Sequence, residues 1–183
     1  MRAVAIVCVL AWCVSAAAGP DRATAGHLLD GVRAFQAGDY PRALAEFETV
    51  ARAPDAPPDL AFYLGPTLYK LGRYQDALAA FLGAGAGGDA LSGFYLAQTY
   101  YQLHLYRKAR GVFVALRGRG LGPRLAAAAE TYVALIDALY AARPLDAAIS
   151  AYRAEGQRLL DAGRPALAAE YLEEARLVEA LAR

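Results

Sequence analysis

The chain has 183 residues, which is the size of one domain or one short repeat array. It carries 19 basic and 18 acidic side chains, and this balance gives no electrostatic reason to expect nucleic-acid or anionic-membrane binding. Nearly all of the basic residues are Arg, since Lys70 and Lys108 are the only lysines, and the bias indicates a GC-rich bacterial genome.

The first 18 residues have the pattern of a secretory signal peptide. A positive start at residues 1–2 precedes an apolar run at 3–14 and small residues at 15–18. The run is too short to span a bilayer comfortably and matches an export signal that signal peptidase removes. We therefore expect a periplasmic or secreted mature chain, residues 19–183, with no membrane insertion after cleavage. Retention of the segment as an anchor is the alternative.

Cleavage would remove the residues with the most distinctive chemistry. Cys8, Trp12 and Cys13 all lie in this segment, so the mature chain would have no disulfide and no thiolate metal site. No small residue precedes either cysteine, which argues against a lipid-modified N-terminus.

Three later stretches repeat one pattern. Tyr40, Tyr74 and Tyr106 mark equivalent positions, separated by 34 and 32 residues. Each Tyr follows a predicted tight turn and precedes an Ala and a Phe four residues apart, which share one helix face. The pairs are Ala43 with Phe47, Ala77 with Phe81, and Ala109 with Phe113. Each stretch is therefore predicted to form helix, turn and helix, and the hairpins are expected to stack because one alone cannot bury its apolar face.

This spacing, with its turn and its Ala/Phe pair, resembles the tetratricopeptide repeat family over residues 24–117. The resemblance implies an all-α fold, a right-handed superhelical solenoid of antiparallel helix pairs. We expect about four units, the last degenerate, followed by a C-terminal capping helix. The expected bounds are 24–55, 58–87, 89–120 and 124–162 for the units and 164–182 for the cap.

The C-terminal part is compatible with two registers. Ala148 and Tyr152 could close a fourth unit with the preceding helix, or a last hairpin could run from Leu159 to Leu172. We favour the first register with a final capping helix, because the end of a solenoid needs a polar outer face.

No motif predicts catalysis, a metal site or a cofactor. The glycine-rich stretch 83–88 follows a predicted helix and contains no Lys, so we expect a flexible connector and not a phosphate-binding loop. His27 and His104 have no partner at metal-ligand spacing, and Ser92 and Ser150 have no nearby His. We therefore predict that the protein is not an enzyme.

In the tetratricopeptide family the first helix of each unit lines the concave face. The resemblance thus implies a largely aromatic peptide-binding surface made of Phe35, Phe62, Tyr69, Lys70, Phe94, Gln98, Tyr101 and Tyr140. These rings could instead pack between neighbouring first helices. Pro66 lies inside one such helix and predicts a kink that opens the groove between the first two units.

The function that follows is a protein–protein interaction scaffold of the bacterial cell envelope, which binds a peptide or protein segment on this face. Leu28 and Val32 stand where the family's clamp for a C-terminal carboxylate would need polar side chains, so that ligand is not expected. The alternative function is a structural subunit of an envelope assembly, such as outer-membrane, export or motility machinery.

Overall fold

A computed structural model describes residues 21–84, 89–142 and 145–182. All regular structure in these ranges is helical: α1 (Arg22–Gln36), α2 (Tyr40–Ala51), α3 (Ala61–Lys70), α4 (Tyr74–Ala84), α5 (Ala90–Gln102), α6 (Tyr106–Ala115), α7 (Pro123–Ala142), α8 (Leu145–Asp161) and α9 (Pro165–Glu179). The predicted signal peptide and most of the glycine-rich connector lie outside the described residues. The all-α prediction is confirmed.

The first six helices form three antiparallel pairs, as the sequence repeat predicts. In the first two pairs a glycine on one helix lies against the phenylalanine of the other. A Cβ atom at Gly31 would be 2.5 Å from the ring of Phe47, and one at Gly65 would be 2.5 Å from the ring of Phe81. The missing side chain therefore allows the paired helices to approach until the ring fills the space between them.

A left-handed residue ends the first helix of each pair. Gly38 has a φ of 81° and Gly72 a φ of 74°, while His104 takes the same place in the third pair with a φ of 62°. In the first turn the N–H of Gly38 donates to the carbonyl of Phe35 at 3.0 Å, and equivalent bonds recur in the other two turns. Glycine adopts this conformation readily, whereas a side chain such as that of His104 resists it.

The last hairpin differs from the favoured register, because α8 pairs with α9 and not with α7. Gly163 has a φ of 69°, and its N–H donates to the carbonyl of Leu160 at 3.0 Å, as in the three earlier turns. A Cβ atom at Gly156 would be 2.7 Å from Leu172, which repeats the contact between small and large residues seen in the first two pairs. The expected unit 124–162 and cap 164–182 are thus replaced by a single helix, α7, and a fourth hairpin, α8–α9.

Two bidentate ion pairs attach α7 to α6. Arg110 donates to Asp137 at 2.6 and 3.1 Å, and Arg117 donates twice to Glu130 at 2.8 Å. Among the described helices, α7 is the one long and apolar enough to cross a membrane, with a mean hydropathy of 1.3. That property is weak support for a membrane span, since helices of soluble proteins share it and both acidic side chains here bind a neighbouring helix.

Candidate functional site

The first helices of the three repeat pairs, α1, α3 and α5, line a groove of about 620 Å³. Their contributions are Val32, Phe35 and Gln36 from α1, Phe62, Tyr63 and Pro66 from α3, and Leu91, Ser92 and Tyr95 from α5. Phe47 closes the floor, and Asp59 and Asp89 lie just before α3 and α5. The volume falls within the ~300–1,000 Å³ typical of ligand pockets.

Two of the eight predicted site residues, Phe35 and Phe62, line this groove. Both rings are only partly buried, so their faces remain accessible. Leu91 is 48% exposed, which is a large fraction for a leucine in a lined groove. Exposed aromatic and aliphatic groups in one concavity are the usual composition of a site that binds protein side chains.

Two further predicted residues, Tyr69 and Lys70, lie beside the groove near the end of α3. The ring of Tyr69 packs edge-on to that of Tyr95 at 5.6 Å between centroids. The Lys70 Nζ atom lies 5.6 Å from the centroid of the same Tyr95 ring, in cation–π geometry. Burial raises the pKa of Tyr69, so its hydroxyl remains protonated at neutral pH.

The expectation that Phe94 lies on the concave face is wrong. Its side chain is 4% exposed and packs edge-on against Phe113 of α6, with 5.6 Å between ring centroids. The face of α5 that lines the groove instead carries Leu91 and Tyr95. Phe62 and Phe94 occupy equivalent sequence positions, yet only Phe62 reaches the groove.

The side chains of Gln98 and Tyr101 contact α7 and do not line the groove. The Gln98 amide donates to the hydroxyl of Tyr132 at 3.3 Å, and the rings of Tyr101 and Tyr132 are 4.9 Å apart. The Tyr132 ring also stacks on Phe113 at 4.8 Å. Because α7 covers this part of α5, the open groove is confined to the first three helix pairs' N-terminal side.

Tyr140 belongs to a buried polar contact between α7 and α9. Its hydroxyl donates to Glu174 at 2.9 Å, and Glu174 has no exposed surface. The same carboxylate accepts the backbone N–H groups of Arg107 at 2.7 Å and Lys108 at 3.0 Å, at the start of α6. Burial and the nearby Glu174 charge raise the pKa of Tyr140, so its hydroxyl remains a donor. The expectation that Tyr140 faces a ligand is therefore also wrong.

A second carboxylate of α9 extends this contact. Glu170 accepts the Tyr100 hydroxyl at 2.6 Å and the Lys108 ammonium at 2.7 Å. At the other end of the interface, Arg164 donates to Gln75 at 2.8 Å. These bonds hold the α8–α9 hairpin against the turn edge of the second and third pairs, so this surface stabilises the fold and is not open to a ligand.

Sequence reasoning missed Tyr63, Leu91, Tyr95 and the two aspartates of the groove. One signal for the tyrosines was present, since Tyr63 and Tyr95 follow Phe62 and Phe94 at the same repeat position. The groups of His, Cys, Asp and Glu in the described ranges include none that could hold a metal ion. The groove therefore offers binding chemistry, made of aromatic faces, aliphatic groups and carboxylates.

Residues 28–90, which include most of the first two helix pairs, match the family model described as Tetratricopeptide repeat. This part of the chain belongs to the tetratricopeptide repeat family. The turn and the small-to-large contact of α8–α9 extend the tetratricopeptide hairpin to the C-terminal region. Tetratricopeptide repeats generally mediate protein–protein interactions, and the fold is typically a scaffold without enzymatic activity.

Solved structures of MamA, a protein that contains tetratricopeptide repeats, resemble the chain. One, titled MamA MSR-1 C2, has a TM-score of 0.54 and 18% identity over 89% of this chain and 100% of that chain. Another, titled Crystal structure of MamA, has a TM-score of 0.50 and 18% identity over 81% of this chain and 94% of that chain. A MamA point mutant gives 0.55 and 17%, with 85% and 96% covered. At these identities the likeness shows the fold, a helical repeat solenoid.

Proposed function

We propose that the protein is a scaffold of the bacterial cell envelope and that it holds a segment of a partner protein in the groove of α1, α3 and α5. The observation that carries the proposal is this groove's exposed apolar lining, in a fold whose repeats generally mediate protein interactions. A flexible segment could insert apolar side chains between Phe35, Phe62 and Leu91, which would lose solvent contact on binding.

The groove is tested by peptide selection with the full chain and a variant of two lining residues. Short random peptides are selected by display, and their affinities are measured by isothermal titration calorimetry. The Val32→Ser, Leu91→Ser double variant should bind the selected peptides at least ~10-fold more weakly, because two buried aliphatic contacts are lost. Leu135→Ser is the matched control, since Leu135 is 51% exposed on α7 and lies outside the groove lining.

Equal binding by the double variant and the control would refute the groove assignment. Failure to select any peptide, with tight association of the full chain with an envelope complex in sedimentation, would support the alternative function as a structural subunit. Circular dichroism spectra establish that each variant retains its helices.

The envelope location rests on the predicted signal peptide at residues 1–18. Export predicts a mature N-terminus close to Ala18, which mass spectrometry of the protein from cells would identify. Cleavage would remove Trp12, the only tryptophan of the chain, so the mature protein should have almost no tryptophan fluorescence. An intact N-terminus in the cytoplasmic fraction would contradict the proposal.

A further inference from the structure

The groove has an acidic end, formed where α3 and α5 begin. Asp59 lies two residues before α3, and Asp89 is the N-cap of α5. One Asp89 oxygen accepts the backbone N–H of Ser92 at 2.7 Å, and the other is not needed for the cap. Both aspartates are exposed and line the groove, whose described lining includes no Lys or Arg.

A backbone acceptor lies on the same side of α3. Pro66 has no N–H, so the carbonyl of Phe62 lacks the donor that the fourth following residue normally supplies. Both residues line the groove. A carbonyl without its helical partner favours a ligand that brings a hydrogen-bond donor.

Aromatic rings complete an electron-rich lining. Phe35, Phe62, Tyr63 and Tyr95 contribute ring surfaces, and the faces of such rings attract cations. Lys70 already lies over the Tyr95 ring at 5.6 Å, which is the same interaction made within the chain.

The nearby basic side chains lie away from the acidic end. Lys70 ends α3, and a ten-residue helix is about 15 Å long, so its charge is far from Asp59. Arg119 lines a separate apolar groove of about 260 Å³ on the other side of Phe62. The groove therefore has a negative end at the helix starts and a positive residue near the end of α3.

We infer that the groove selects a protein segment in which a Lys or Arg lies within a few residues of a large apolar side chain. The cation binds at the end formed by Asp59 and Asp89, and the apolar side chain packs on Phe35, Phe62 and Leu91. This inference rests on the proposed function and adds the chemistry of the partner. Charge complementarity of this kind sets specificity and orientation more than total affinity.

The composition of selected peptides gives the first test. Peptides selected on the full chain should contain more Lys and Arg than the starting library, next to Leu, Ile, Met or aromatic residues. A selection that enriches apolar peptides without Lys or Arg would overturn the inference and leave the proposed function standing. A selection that enriches no peptide would overturn both.

Neutral variants of the two aspartates give the second test. Asn is as good an N-cap as Asp, so Asp89→Asn removes the charge and keeps the cap. The Asp59→Asn, Asp89→Asn double variant should bind a selected Lys-containing peptide about 10-fold more weakly, while a Lys→Gln version of the peptide should bind both proteins alike. Added salt should weaken binding to the wild type more than to the double variant.

Asp146→Asn is the matched control, because Asp146 is an exposed acid in the first turn of α8 and lies outside the groove lining. It should bind the peptide with wild-type affinity. Unchanged affinity in the aspartate double variant, combined with loss of binding in Val32→Ser, Leu91→Ser, would overturn the inference and support the groove alone.

Discussion

Replacement of Glu174 by Ala should release the C-terminal hairpin from the rest of the solenoid. The Glu174 carboxylate is the acceptor for two backbone N–H groups at the start of α6 and for the Tyr140 hydroxyl. Ala removes this acceptor and leaves those donors in a buried contact without a partner. The same substitution leaves a cavity, because Glu174 has no exposed surface.

The expected cost follows from these bonds. Loss of an N-cap acceptor typically costs ~1 kcal/mol, and loss of a hydrogen bond to a charged group costs ~1.5–3 kcal/mol. The desolvation of the carboxylate, which raises the pKa of Glu174, offsets part of the total. A net loss of about 3 kcal/mol is expected, and for a chain of this size it lowers the melting temperature by roughly 6–12 °C.

Thermal unfolding and native-state hydrogen exchange measure the two consequences. The backbone amides of Arg107 and Lys108 should lose protection in Glu174→Ala, while those of α1 should not, since repeat proteins unfold in local units. Glu173→Ala is the control, because Glu173 makes only an exposed pair with Arg176. A loss below about 0.5 kcal/mol in Glu174→Ala, or equal losses in the two variants, would refute the proposed trans cap.

Three other predictions follow from the same coordinates. Gly65→Ala should destabilise the fold by ~1–3 kcal/mol because its Cβ would lie 2.5 Å from an aromatic ring, whereas Gly111→Ala, where nothing lies within 4 Å, should stabilise α6 by ~0.5–1 kcal/mol; chemical denaturation checks both. Pro66→Ala should stabilise α3 by restoring a donor to the Phe62 carbonyl, and a clear loss of stability would show that the proline conformation is required. The raised pKa of Glu174 means that its contribution to stability is largest below the ordinary value of 4.5 and is lost as the pH rises through the raised value. The difference in unfolding free energy between wild type and Glu174→Gln should therefore shift in favour of the wild type on acidification, and an opposite shift would contradict the assigned direction.

The first three hairpins were predictable because their determinants are local and repeated. The 34- and 32-residue spacing of Tyr40, Tyr74 and Tyr106, with an Ala and a Phe behind each, specifies a turn and a close helix contact. The fourth hairpin carries the same determinants in weaker form, as Gly156 opposite Leu172 and a turn at Gly163. Leu in place of Phe, and the intervening helix α7, made the register ambiguous.

The site was predictable only in part, because the rotation of each helix depends on its neighbours. Phe62 and Phe94 stand at the same repeat position, but Phe94 packs on Phe113 and only Phe62 lines the groove. The role of Tyr140 depends on a carboxylate 34 residues later. No local pattern reports such a contact.

The third turn explains why the fourth hairpin sits where it does. The first turn reads Gly38–Asp39, and Asp39 caps α2 by accepting the N–H of Arg42 at 3.2 Å. The third turn has Leu105 at the capping position, and Leu105 is fully buried and makes no side-chain cap bond. The N–H groups that begin α6 therefore need an acceptor from elsewhere, and Glu174 supplies it from α9. A departure from the repeat in one unit and a buried acid in another are complementary, so the hairpin is attached to the turn edge and the groove of α1, α3 and α5 remains uncovered by it.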